Sequence, residues 1–194
     1  MEKEKISNIP TTKDLEQELY REKYKSRYKK ILKSTIYALL IVVAISVIIA
    51  TFLFPVLQIY GESMKPNLTE DDIVLCIKKQ DFESGDIIAF YHNNKILVKR
   101  VIAVSSDWVN IDELGNVYVN DELLEEEYIE EKSFGESDIK YPYQVPEGSY
   151  FVLGDKRETS IDSRSSIIGT ISCENIIGKI IFRVWPLKQI GIPK

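Results

Sequence analysis

Twenty-two consecutive residues without a charge, Ile36 to Leu57 (IYALLIVVAISVIIATFLFPVL), constrain this chain more than any other feature. About 20 apolar residues in a helix cross the roughly 30 Å hydrocarbon core of a bilayer, and the helix satisfies every backbone N–H and C=O internally. A buried core helix of this length would keep a polar stripe. A cleaved signal sequence would carry a shorter apolar region of about 7–15 residues and then a small-x-small site, whereas this run continues into Phe-Leu-Phe-Pro-Val-Leu. The run therefore predicts one transmembrane helix, over 34–57. Arg21, Lys23, Lys25, Arg27, Lys29, Lys30 and Lys33 crowd its N-terminal flank with only Glu22 against them. By the bias of Lys and Arg toward the cytoplasmic side, the N-terminus lies inside and the C-terminal part outside. Residues 1–33 read as a mobile basic tail with a short helix leading into the membrane.

Averaged over 194 residues the chain is acidic, with 25 Lys/Arg against 30 Asp/Glu, but the charge is unevenly divided. Residues 1–33 hold ten basic and six acidic side chains, and the remainder holds 15 and 24. A remainder at net −9 is a poor partner for nucleic-acid phosphates. One His and two Cys supply too few ligands for the usual zinc sites and no disulfide framework. No metal or other cofactor is implied.

Residues 58–194 suit one domain in size, and short apolar runs between turn signals make it mainly β. The strand candidates are Ile73–Lys79, Asp86–Tyr91, Lys95–Val104, Trp108–Ile111, Asn116–Asn120, Ser149–Gly154 and Gly178–Trp185. His92-Asn93-Asn94 and Leu114-Gly115-Asn116 read as hairpin tips. The acidic stretch Asp121 to Glu136 reads as a solvated loop, and Cys76 and Cys173 as small buried residues. Trp185, Phe182 and Trp108 suit either a membrane–water interface or the core.

Three polar clusters stand out from this background. Gly61-Glu62-Ser63-Met64-Lys65-Pro66 follows the apolar run; alone it would be an ordinary turn. Within Lys95–Val104, alternation puts Lys99 with Leu97, Val101 and Ala103, and Arg100 with Ile96, Val98 and Ile102. Both faces are apolar, so both charges leave water, and desolvation lowers the pKa of a buried Lys. An edge strand with a paired Lys is the plainer alternative. The third cluster, Gly154 to Arg164 (GDKRETSIDSR), follows a strand and is otherwise a surface turn with local side-chain hydrogen bonds.

Together these clusters resemble the bacterial type I signal peptidases, membrane-anchored serine proteases that remove signal peptides from exported proteins. The resemblance rests on G-x-S-M-x-P at Gly61–Pro66, a G-D-I-I strand at Gly85–Ile88, K-R-V at Lys99–Val101 and the loop Gly154–Arg164, in that order. It implies that Ser63 is the nucleophile, Lys99 the general base and Ser160 the group that orients Lys99. Asp155, Asp162, Arg164 and Arg100 become supports of the site. It also implies an extended signal peptide pairing beside Ile59, Tyr60, Gly61 and Glu62, with Met64 nearby, and small pockets that explain an Ala-x-Ala preference. Two positions depart from the pattern. Gly61 stands where some members have a Ser that donates to the oxyanion, and Lys156 replaces the Asn of G-D-N-R.

The chemistry agrees with those roles. A Ser hydroxyl needs a base to take its proton as it attacks, and a Ser–Lys pair is a known variant of that logic. For Lys99 to act near neutral pH its pKa must fall by roughly three units from about 10.4. Two other readings stay open: a Ser–Lys endopeptidase dedicated to one secreted or pilus substrate, and a catalytically inactive anchored β-domain that only binds peptide.

Overall fold

The structure, a computed structural model, describes residues 11–193 and divides into two compact units, 1–50 and 51–194. The first ten residues of the expected tail lie outside the described residues. A single helix, α1, runs Thr12–Leu53. It opens with a cap in which the Thr11 hydroxyl and backbone N–H both donate to the Asp14 carboxylate. The expected short basic helix and the apolar run are thus one continuous element. Its described side chains are exposed and, among the described residues, it is the one helix long and apolar enough to cross a membrane. The Thr35 and Ser46 hydroxyls donate to the carbonyls of Ile31 and Val42, at 3.0 and 2.8 Å. No water is therefore needed to satisfy either polar group on an apolar surface.

The helix stops four residues short of the expected Leu57. Pro55 disfavours helical backbone at the residue before it and has no N–H to donate. Val56–Gln58 instead form strand β1, and the Pro55 carbonyl accepts from Cys76 N–H at 2.8 Å. The last apolar residues of the run belong to a sheet.

The second unit is built on two antiparallel sheets. The larger has seven strands in the order β1, β2 (Ile73–Ile77), β11 (Ile176–Trp185), β3 (Ile87–His92), β4 (Lys95–Ala103), β9 (Ser149–Leu153), β10 (Ile171–Ser172). The smaller has the order β7 (Glu122–Leu123), β6 (Val117–Val119), β5 (Trp108–Ile111), β8 (Tyr143–Gln144). All seven expected strands form; β1, β7, β8 and β10, each two or three residues long, were not expected. The β3–β4 connection turns through Asn93 and Asn94, both at positive φ, which the favoured two-residue hairpin turn requires. Gly115, at φ +81, turns between β5 and β6, where the Asp112 carboxylate accepts from the N–H groups of Leu114 and Asn116.

β4 lies between β3 and β9, but the pairing with β9 begins at Arg100, so Lys99 is paired with β3 and its other side faces the cleft. Its register sets Lys99 opposite Ile88, and Arg100 opposite Ile87 and Leu153. Leu97 and Val101, on the Lys99 face, pack with Ile88, Phe90 and Val152; Val98, on the Arg100 face, packs with Ile87, Ala89 and Met64. Strict alternation ends there. A bulge between Val101 and Ala103 puts Ile102 and Ala103 into one cluster with Val109, Phe151 and Leu153, so Ala103 does not share a face with Lys99.

The acidic stretch is not uniformly a solvated loop. Glu126 is buried, and Leu124 and Phe134 pack against the second core cluster. Cys76 is fully buried on β2, while Cys173 is half-buried with its thiol directed at the Gln80 carbonyl. Trp108 and Trp185 are both half-exposed, on different sheets.

Candidate active site

Ser63 is in the turn that follows β1, held at both ends. Ile59 N–H donates to the Asp72 carbonyl at 2.8 Å, and Leu68 N–H to the Met64 carbonyl at 2.9 Å. Met64 and Leu68 are buried in the first core cluster, so the turn is nailed down on either side of a half-buried Ser63. One cleft is lined by Ile59, Tyr60, Gly61, Ser63 and Met64 on one wall and Ile96, Leu97, Val98 and Lys99 on the other. The structure thus brings Ser63 and Lys99 to the same space, 36 positions apart in the chain. Of the residues expected to meet a peptide, Glu62 does not line this cleft. Both backbone groups of Ile59 are engaged, its N–H with the Asp72 carbonyl and its carbonyl with the Asp71 N–H, so it offers a peptide no free backbone partner.

Lys99 is 4% exposed, and its Nζ donates to Ser160 Oγ at 2.9 Å. Burial pushes its ammonium down from 10.5 to about 8, opposed in part by the negative charge of Asp162 and then of Asp155. An amine in this state is part-neutral just above neutral pH and can accept a proton from a nearby hydroxyl. Ser160 is itself buried, and supplies a hydrogen-bond partner that orients Nζ without adding a charge.

Gly154 explains how closely these parts meet. A Cβ there would sit 2.2 Å from Ser160 Oγ and 2.7 Å from the Ser63 carbonyl oxygen. No side chain fits between the β9 end, the serine turn and the Ser160 loop. Gly154→Ala is expected to lower kcat/KM about a hundredfold, since misplacing catalytic groups by about 1 Å costs that much. Far-ultraviolet circular dichroism should stay near wild type; unchanged kcat/KM would show that Ser63 and Ser160 need not be so close.

Beneath the loop are three buried Arg–carboxylate pairs. Arg100 grips Asp155 through Nε and Nη2 at 2.8 and 2.7 Å, and its Nη1 donates to the Gly85 carbonyl at 2.8 Å. Arg164 grips Asp162 the same way at 2.8 and 2.9 Å, and it also donates to the Phe134 and Arg157 carbonyls. Asp162 in turn accepts from Gly154 N–H at 3.0 Å. The expected supports are therefore all buried around the Lys99–Ser160 pair.

The third pair was not expected. Arg157 forks onto Glu126 and donates through Nε to the Gly154 carbonyl at 3.0 Å. Two further residues join it. The Tyr128 ring stacks on the Arg100 guanidinium at 4.0 Å, and Asn67 donates both amide hydrogens, to Asp155 Oδ2 and to the Tyr128 carbonyl, each at 2.7 Å. Asn67 ties the serine turn to the pair beside Lys99. In sequence, Glu126 and Tyr128 are only members of an acidic run, and nothing local marks Glu126 among eight acids.

Residues 32–185 match the family model described as signal peptidase, peptidase S26. Over 156 residues the chain is 33% identical to signal peptidase I P of Bacillus subtilis subsp. natto, covering 74% of this chain and 83% of that one. It is 32% identical over 163 residues to thylakoidal processing peptidase 1, chloroplastic, of Arabidopsis thaliana, covering 75% of this chain. The alignment spans about half, 46%, of the Arabidopsis protein's length. A crystal structure of a signal peptidase I from Enterococcus faecalis V583 superposes with a TM-score of 0.45 at 27% identity, covering 53% of this chain and 98% of that one. The chain belongs to the signal peptidase family, peptidase S26, and with it to the hydrolases.

Proposed function

We propose that this protein is a membrane-anchored serine endopeptidase that cleaves signal peptides from exported preproteins after an Ala-x-Ala-like site. Ser63 is the nucleophile and Lys99 the general base. The observation that carries this reading is Lys99 itself, a buried amine with a pKa of about 8, hydrogen-bonded to Ser160 and lining one cleft with Ser63.

Ser63 Oγ adds to the scissile carbonyl carbon while its proton passes to Lys99 Nζ. The resulting ammonium gives that proton to the leaving amine as the C–N bond breaks, which leaves an acyl ester on Ser63. Lys99 then takes a proton from water, hydroxide attacks the ester, and the proton returns to Ser63 as the acid is released. The Ser63 backbone N–H stabilises the oxyanion formed in both halves. The apolar side chains of Ile59, Met64, Leu97 and Val98 suit short aliphatic side chains of an extended peptide. The α1 helix anchors the chain, with residues 1–33 cytoplasmic and the β-rich unit outside, the bilayer holding enzyme and membrane-bound signal peptide together.

Ser63→Ala in the full chain, purified in detergent, is expected to reduce cleavage of a preprotein with an Ala-x-Ala site by at least about 10³-fold, as loss of a nucleophile does. Thermal unfolding should be unchanged, since Ser63 is half-buried. Cleavage by this variant at the wild-type rate excludes the reading. Protease added outside intact cells should digest the β-rich unit and spare the tail; the reverse pattern excludes the orientation.

A further inference from the structure

Glu62, Lys65 and Lys156 form an ion cluster beside Ser63 to which the proposed reaction gives no role. The Glu62 carboxylate accepts from Lys65 Nζ at 2.7 Å and from Lys156 Nζ at 3.4 Å, and all three side chains are 39–51% exposed. Lys156 is also fixed through its backbone, whose N–H donates to the Ser63 carbonyl at 3.0 Å. The cluster therefore adjoins Ser63 both along the chain and through space. Yet none of its three members lines the cleft that Ser63 shares with Lys99. Ser63 stands at the boundary, with the cleft it shares with Lys99, Leu97 and Val98 on one side and a charged surface on the other.

That arrangement has a direction. The acyl side of a peptide fits the cleft, and its scissile carbonyl must meet Ser63 Oγ, so the residues after the cut leave the cleft past Ser63 and cross the cluster. The cluster carries net +1, in a region where acidic side chains outnumber basic ones 24 to 15. Each ammonium has three N–H donors, and Glu62 accepts one from each, so both lysines can also bind a substrate carboxylate. Lys156 supplies a charge that the Asn of the related motif would not.

We propose that Lys65 and Lys156, bridged by Glu62, form a subsite for the first residues beyond the scissile bond that favours an acidic side chain and disfavours a basic one. The proposal rests on the peptidase reading. Its test uses the full chain in detergent and two peptides with the same Ala-x-Ala sequence, carrying Asp or Lys at the second residue after the cut. At low salt the Asp peptide is expected to have about three- to tenfold higher kcat/KM, the scale of a pair of exposed charge contacts, and the ratio should fall toward one in about 0.5 M salt. Lys156→Asn, which leaves the cluster at net zero, should lose the preference while still cleaving a peptide with Ala at that position, and the double variant Lys65→Gln/Lys156→Asn, at net −1, should reverse it. Equal rates for the two peptides on the wild type, or a ratio that survives in either variant, overturns the subsite alone. Cleavage of neither peptide overturns the peptidase reading and the subsite with it.

Discussion

Lys99→Met is expected to abolish signal-peptide cleavage while making the protein more stable at pH 7. Loss of the base should lower kcat/KM by about 10²–10⁴-fold. The gain in stability follows from the same burial. In the unfolded chain Lys99 titrates near 10.5, and in the folded protein at about 8. Between those values the unfolded state holds more protons, so wild-type stability rises as pH climbs from about 8 to 10.5. Below pH 8 the full penalty of charging a buried amine is present, about 3 kcal/mol at 1.36 kcal/mol per pKa unit. Met fills similar space without that charge but leaves the Ser160 hydroxyl without its donor, a loss of about 1 kcal/mol. The net gain is about 2 kcal/mol, read as a higher Tm at pH 7 that disappears near pH 10. On the wild type, kcat/KM should rise with pH through a midpoint of about 8, because the amine must be neutral to act. A flat profile between pH 6 and 9, or a variant less stable than wild type at pH 7, would remove the desolvated-base account.

Asp155→Ala should act in the opposite sense, on the fold first. It takes the carboxylate from the Arg100 guanidinium, 3% exposed, and it removes one of the two acceptors that anchor Asn67. Breaking a buried pair from one side costs about 3–5 kcal/mol. For a domain of this size that is a fall in Tm of roughly 10 °C. Activity should fall as well at temperatures where the variant is folded, since Arg100 is next to Lys99 and Asn67 is four residues from Ser63. A Tm within about 3 °C of wild type would mean that Arg100 keeps its partners without the carboxylate. Asp155→Asn, which keeps the shape and loses the charge, should fall between the two.

These effects arise in residues of different legibility. Ser63, Lys99 and Ser160 stood out through the resemblance of their runs taken together, since each run alone reads as an ordinary turn or strand and alternation by itself left Lys99 either buried or paired on an edge strand. Glu126, Tyr128 and Asn67 were not readable. Glu126 pairs with Arg157 across 31 positions and Asn67 with Asp155 across 88; a contact made at that separation leaves no local pattern. The short strands β1, β8 and β10 were missed for a related reason. Two or three residues have no period, and whether they are strands depends on a partner to pair with. The bulge after Val101 is similar, since the sequence there alternates without interruption and only the match to β9 inserts the extra residue.

The sequence by itself determined the two-part plan: an apolar run too long and too free of charge to be anything but a helix in lipid or exposed, and a β-rich unit whose strands alternate over core clusters. Its single His left few candidate bases, and the resemblance pointed from there to Ser63 and Lys99. Tertiary structure decided where the helix ends, because Pro55 stops it but β2 is what turns Val56–Gln58 into a strand. It decided as well that the Lys99 ammonium gives up its proton far more readily than an ordinary surface lysine. That property belongs to no residue alone. It comes from excluding water around one amine with a central strand, a serine loop and three buried ion pairs, and only the folded chain does that.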